Sequence, residues 1–374
     1  MKRILALLLC LTILLPASAA FADKPKDVPT LPVEEIPDTP PDVKNYLLLC
    51  VDSWGSKEDA AKGGAIDLSD DGDESDGADA MNVDKTYDAY IDEIETAVQS
   101  ISTPRALGNT DGIILVTVDT CLHRVVLTSF IRDLLIQRPD GKFNRLSRFV
   151  PNNGNNQEAV DKLIEIFGTH FGIKIDHYVV VNWSMVRNII SAAGVKDANG
   201  VGRVEIELTK GEAEYLRGKD AYTSSWATPN LKGAGTYLLS PHAAVIYMRC
   251  RKSASAINGE KYDYRRTTRA RNVLISLKNN LSDITYDQCR ELLDIVVNNI
   301  LVSDMKGWDL LEAADIAFDL KDSDIDQFRI PIDGTHKTIT YSSGSCEEID
   351  FPANREALWD FLGYNSFVVR EDED

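Results

Sequence analysis

A layered α-β-α sandwich with a central mixed β-sheet is the fold class that this sequence predicts, and three observations carry it. The run N-Y-L-L-L-C-V at 45–51 is apolar on both sides of a strand and reads as fully buried. Apolar residues recur at helical spacing in segments such as 158–171. Strand-like and helix-like segments then alternate without internal repeats, the signature of an α/β domain.

The elements follow in chain order. Lys2 and Arg3, an apolar run over 4–15, Pro16 and Ala20-Phe21-Ala22 have the layout of a secretory signal over 1–22, cleaved before Asp23. An uncleaved membrane anchor over the same residues is the alternative. Pro25, Pro29, Pro32, Pro37, Pro40 and Pro41 make 23–44 a Pro-rich linker, expected as an extended spacer. The strand at 45–51 opens the main domain, 45–365, and ends at Asp52. Residues 56–84 form an acidic, Gly-rich insertion in which Asp71, Asp73 and Ser75 have the spacing of a calcium loop. Asp76 and Asn82 stand where such a loop has Gly and Glu, so a solvated insertion is expected. Tyr87, Ile91, Ile94 and Val98 predict a surface helix over 85–100.

Strands are expected at 113–118 and 124–129, joined by a short connection, and the Asn-rich stretch 141–156 reads as loop. Further expectations are a helix at 158–171, a strand at 178–181, a helix at 183–193, and strands at 204–208 and 245–250. Helices follow at 265–280, 286–300 and 308–318, then a strand-loop-helix unit over 328–362 and an acidic tail, 366–374.

With 374 residues, the chain is long enough for a sizeable core; 59 acidic against 40 basic side chains give a net charge of -19. That balance excludes a nucleic-acid partner, which needs a basic face. It leaves room for small phosphorylated ligands held by a local arginine cluster. Past the leader, Cys50, Cys121, Cys250, Cys289 and Cys346 are widely spaced with no C-x-x-C pair, so free thiols are expected.

Arginines do cluster. Arg249 and Arg251 lie two apart in a strand-like run, which would put both on one face of a sheet. Arg266 and Arg269 share a helix face, flanked by Arg265 and Arg271, and Arg132 sits beside Asp133 just past a strand end. Converging guanidiniums repel one another unless an anion neutralises them, which phosphate does through bidentate bonds. Asp52 and Asp111 lie at strand boundaries; two acids with diphosphate oxygens and water suit magnesium, or both simply cap turns.

The ordered blocks N-Y-L-L-L-C-V-D-S, T-D-G-I-I-L-V-T-V-D, L-T-S-F-I-R-D, K-F-N, G-I-K-I-D-H-Y-V-V-V-N-W, I-Y-M-R-C-R and D-Y-R-R-T-T-R-A-R-N-V-L resemble the LytR-CpsA-Psr family of cell-wall phosphotransferases, over roughly 45–363. The resemblance implies an exported protein at the outer face of the membrane of Gram-positive bacteria. It would move a glycopolymer such as teichoic acid, with its phosphate, from a polyprenyl-diphosphate lipid to a peptidoglycan acceptor. On that resemblance Asp52 and Asp111 hold Mg2+, with Mn2+ as the substitute. Arg132, Arg249, Arg251, Arg266 and Arg269 grip the diphosphate, Arg132 and Asp133 are the catalytic pair, and Asn144 supports them.

The chain departs from the family pattern at four places. Trp54 and Asn109 stand where the family has arginines, Ala270 where it has glutamine, and Pro241 where it often has glycine. The first two define an alternative expectation, a member that binds polyprenyl phosphates or wall polymers without transferring them. Arg105 and Arg145 are the candidates to replace the missing charge.

Overall fold

The computed structural model describes residues 25–52, 107–198, 200–220, 231–250, 262–298, 300–342 and 344–364. The signal segment, the acidic insertion, the helix expected over 85–100 and the tail lie outside these, as do Trp54, Arg105 and Arg251. Among the described residues, no helix is long and apolar enough to cross a membrane.

The chain enters strand β1 (Val43–Val51) and continues through β2 (Thr110–Asp119), β3 (Arg124–Phe130), β4 (Leu135–Gln137) and β5 (Phe143–Arg145). Helix α1 (Gln157–Phe171), β6 (His177–Asn182), α2 (Trp183–Ala193), β7 (Val195–Lys196) and β8 (Gly202–Leu208) follow. Next come α3 (Lys210–Asp220), β9 (Gly235–Leu239), α4 (Pro241–Arg249), α5 (Tyr262–Asn280), α6 (Tyr286–Asn298), β10 (Val302–Ser303) and α7 (Gly307–Asp319). The last elements are β11 (Ile325–Ile330), the hairpin β12 (His336–Tyr341) and β13 (Gly344–Ile349), and α8 (Phe351–Leu362).

Six strands form the central sheet in the order β10-β6-β1-β2-β3-β11. It is mixed: β1 runs parallel to β6 and β3 parallel to β11, while β2 is antiparallel to both of its neighbours. The period-2 alternation of side chains divides β1 between two cores. Leu47, Leu49 and Val51 face one core, filled by Phe130, Phe167, Phe171 and Phe351 from β3, α1 and α8. Cys50 faces the other, built from α2, α4, α5 and strands β8 and β9. Helices thus cover both faces of the sheet, as the buried pattern of β1 requires.

Four expectations are corrected. The proline-rich stretch is extended but does not stand off as a spacer; residues 25–42 are strapped to the domain. The Leu31 N–H donates to the Thr169 carbonyl at 2.7 Å, Val28 N–H to Gln137 at 2.8 Å, and the Arg355 guanidinium to the Pro29 carbonyl at 2.8 Å. Proline removes the option of helix, yet leaves carbonyls free to accept. At the strap's contact with α1, Gly172 closes the helix with φ 63°, and a Cβ there would collide with Trp359 and Leu31.

Residues 141–156, expected as loop, contain β5 and two short helical turns, because Leu146, Phe149 and Val150 are buried in the first core. The segment 245–250, expected as strand, belongs to α4. Ser240 caps it by accepting the Ala243 N–H at 3.2 Å, and Pro241 occupies the first turn. A helix buried almost all round looks like a buried strand in a short window. Finally, the hairpin β12–β13 stands between the last sheet strand and α8, where one strand-loop-helix unit was expected.

Candidate functional site

The sheet topology brings the candidate residues to one edge. The C-terminal end of β1 meets the start of β2, Val51 opposite Thr110, and also the end of β6, Val51 opposite Asn182. β3 ends beside the start of β2, with Arg132 two residues further on. α4 and α5 then approach this edge from the face of the second core.

Asp52 leaves β1 and is held by Asn109. The Asn109 N–H donates to Oδ1 at 2.7 Å, its side-chain Nδ2 donates to Oδ2 at 3.0 Å, and the Asp52 N–H returns a bond to the Asn109 carbonyl at 2.9 Å. The residue that replaces a family arginine is therefore occupied in fixing a carboxylate.

Asp111, 8% exposed at the start of β2, binds two guanidiniums. Arg132 Nη1 donates to Oδ1, and Arg266 Nη2 lies 2.5 Å from Oδ2. Arg132 continues the alternation of charge: its Nε is 3.7 Å from Asp133, which is 3.7 Å from Arg145 Nη1. Arg145, expected as a substitute for the missing charge, pairs with Asp133, and its Nε donates to the Cys346 sulfur at 3.2 Å. Gly344 leaves room for this guanidinium, since a Cβ there would overlap it. Asn144 is buried on β5, and its Nδ2 makes no hydrogen bond among the described residues.

Arg249 ends α4, so the two-residue spacing of Arg249 and Arg251 does not place them on one face of a strand. Its guanidinium lies 5.6 Å from the centroid of the Trp183 ring, and that of Arg266 lies 5.7 Å from the same ring. Burial pulls the Arg249 pKa down and Arg266's charge adds to this, while Asp111 opposes it. Cys50 lies beneath the site; burial pushes its thiol pKa up, and Asp111 pushes it further. It is a packed, neutral thiol.

Arg269 departs from its expected place. It is 2% exposed; its Nε donates to Glu212 at 2.7 Å and its Nη1 to the Cys250 carbonyl at 2.5 Å. Although Arg266 and Arg269 lie three apart on α5, only Arg266 reaches Asp111, and Arg269 braces α5 to α3 and to the end of α4. Arg271 is likewise spent on Ser129 and Gln327. Glu212 was missed from sequence, though T-K-G-E at 209–212 is a readable capping box: Thr209 N–H donates to Glu212 at 2.9 Å. Nothing local could reveal its pairing with Arg269. Trp183 carried no signal beyond its place at the start of a helix.

A resident metal can be tested against these donors. Asp52 and Asp111 are hard oxygen ligands of the kind magnesium takes, and magnesium uses one or two carboxylates with phosphate and water. No group of three or more His, Cys, Asp or Glu side chains gathers among the described residues. Both carboxylates are engaged, Asp52 by Asn109 and Asp111 by Arg132 and Arg266, so a cation here would have to be shared with a phosphate that draws the arginines away. With acids and guanidiniums alternating at one sheet edge, the site suits an anion with several oxygens.

Comparisons with known proteins agree on the fold. Biofilm regulatory protein A of Streptococcus mutans is 24% identical over 227 residues, 60% of this chain and 51% of that protein, so the chain spans about half the length of the curated relative it matches. A structure of TagT bound to LI-WTA superposes with a TM-score of 0.56 at 14% identity, covering 88% of this chain and 96% of that one. TagV of B. subtilis superposes with a TM-score of 0.53 at 14% identity, over 87% and 99% of the two chains. Such low identity shows a shared fold alone. The LytR_cpsA_psr family matches residues 93–356, which hold Asp111, Arg132, Arg249 and Arg266, and this chain belongs to that family.

Proposed function

We propose that this protein is an extracytoplasmic phosphotransferase that moves a glycopolymer from a polyprenyl-diphosphate carrier to peptidoglycan. The observation that carries the reading is the gathering of Arg132, Arg249 and Arg266 around Asp111 at the sheet edge. Arg132, Arg145, Arg249 and Arg266 stand against Asp52, Asp111 and Asp133 there, and the remaining positive charge favours a bound diphosphate. In the transfer, a sugar hydroxyl oxygen bonds to the phosphorus that carries the glycopolymer. The bridging P–O bond breaks, polyprenyl phosphate leaves with the bond's electron pair, and the hydroxyl proton passes to water.

The protein's work is to hold the diphosphate in line and to neutralise the leaving phosphate. Arg132 and Arg266 would turn from Asp111 to the phosphate oxygens. Asp133, close to Arg132 Nε, keeps that side chain extended. Asp52 and Asp111 would hold magnesium, which supplies further charge neutralisation when bound. The apolar leader would keep the site at the outer membrane surface, within reach of a lipid-borne substrate.

The test uses the full-length chain, a synthetic polyprenyl-diphosphate sugar, magnesium and a peptidoglycan oligomer, followed by mass spectrometry. The expected result is a phosphodiester-linked product that disappears with EDTA and falls at least ~10³-fold in Arg132→Ala, the scale of losing one arginine at such a site. Full activity in Arg132→Ala would overturn the role of Arg132. Asn109 favours a second reading, because a neutral side chain spent on Asp52 leaves the site one guanidinium short: a binder without turnover, seen as tight lipid binding with no product.

A further inference from the structure

We infer that Trp183 is a positioning residue whose indole ring holds Arg249 and Arg266 together as one anion-binding unit. The two guanidiniums lie 5.6 and 5.7 Å from the centroid of the same ring. Trp183 is 2% exposed and stands one residue past the pairing of Asn182 with Val51, beside the strand end that carries Asp52. Asn182 fixes it there by capping α2, accepting the Met185 N–H at 2.9 Å.

The physical problem that Trp183 solves is the repulsion between a buried cation, Arg266, and a half-buried one, Arg249. Two guanidiniums beside one ring repel each other, and partial burial weakens the screening that water would provide. Asp111 bonds Arg266 and offsets part of this repulsion, but a carboxylate also cancels charge meant for the ligand. An aromatic face attracts both cations through its quadrupole and has no charge of its own.

The orientation of the ring is the second observation. A buried indole normally turns its N–H to an acceptor. The Trp183 Nε1 is buried without a hydrogen-bond partner. The ring is therefore set by what lies over its faces, at the expense of its own donor. A guanidinium pair arranged before the ligand arrives loses less freedom on binding, and this is the gain that Trp183 supplies.

The inference rests on the diphosphate reading, so the experiment separates the two. Inorganic pyrophosphate is titrated by calorimetry into the full-length chain carrying tryptophan, or mono-, di- or trifluorotryptophan, at position 183 alone. Fluorine withdraws π density while nearly preserving shape and burial. Affinity is expected to fall stepwise with each fluorine, to about tenfold overall, with Trp183→Phe between the extremes. In the ligand-free protein, the Arg249 and Arg266 side-chain NMR signals should carry ring-current shifts that vanish in Trp183→Phe-free controls such as Trp183→Leu. Equal affinity across the fluorinated series, with an unchanged melting temperature, would overturn the inference. Failure of the unsubstituted protein to bind pyrophosphate would overturn the diphosphate reading instead, and the ring-current shifts would then decide whether the indole holds the pair.

Discussion

Arg269 and Glu212 show how one helix face can carry two different tasks. Both are 2% exposed, with Nε and Oε1 2.7 Å apart, and Glu212 also accepts from Thr209. Removing one partner of such a pair leaves a buried charge without compensation, which costs roughly 3–5 kcal/mol. Arg269→Ala should therefore lose stability on that scale in urea unfolding, and Glu212→Ala a similar amount. The double change to a Leu–Met pair should recover much of it, because well-packed apolar residues often replace a buried ion pair at little cost. If Arg269 instead acted on the ligand, the single variant would unfold normally and fail only in binding. Asn109 makes the complementary point. Its identity departs from the family, yet it makes two donor contacts to Asp52, so a residue that looks like a loss is part of the site's frame.

Helix α1 gives the clearest pH dependence at the level of an element. His170, 2% exposed in its last turn, accepts the Gln137 N–H at 3.2 Å and meets Phe351 edge-on at 5.2 Å. Burial pulls its pKa down to about 4. The unfolded chain, with an ordinary histidine, takes up the proton near pH 6.5, so it binds more protons than the folded state between these values. Stability should then fall as pH drops from about 6.5 to about 4, by roughly 3 kcal/mol from this side chain. Denaturant unfolding at pH 7, 5.5 and 4 measures it, and His170→Gln should remove this part of the slope. His177 on β6 works in the opposite sense. The Asp304 carboxylate, 3.4 Å from its Nδ1, raises its pKa, so its contribution is present below the unfolded value and lost as pH rises through the folded one.

Across the whole molecule, the strap ties the start of the domain to its last helix and hairpin. Residues 25–42 cross α1 and reach α8 and β13: Leu31 bonds Thr169, Arg355 reaches Pro29, and Lys26 N–H donates to Glu348 at 2.7 Å. Val28 packs against the first core. A chain starting at Asp42 should unfold at least about 2 kcal/mol more easily, the scale of exposing one or two aliphatic side chains. A free spacer would leave the unfolding midpoint unchanged, so equal midpoints would refute the strap as a stabilising element.

What the sequence determined by itself was the local part of this protein. The apolar run of β1, the paired strands β2 and β3 and the helices expected at 158–171 and 183–193 appear, to within a residue or a few, where apolar periodicity placed them, since that is a property of a few neighbouring residues. Free cysteines at 50, 121, 250, 289 and 346 also follow from their spacing. Motif order pointed to Asp52, Asp111, Arg132, Arg249 and Arg266, and the tertiary structure gathers all five at one end of the sheet. It alone decided what each side chain touches. Asp52 meets Asn109 across 57 residues of sequence, and Arg269 meets Glu212 across another 57. A strand pattern at 245–250 became a helix because a cap and a fully buried surface outweighed the β-rich composition. Periodicity tells a residue which way to face within its own element; the partner it finds there depends on where the rest of the chain has been folded.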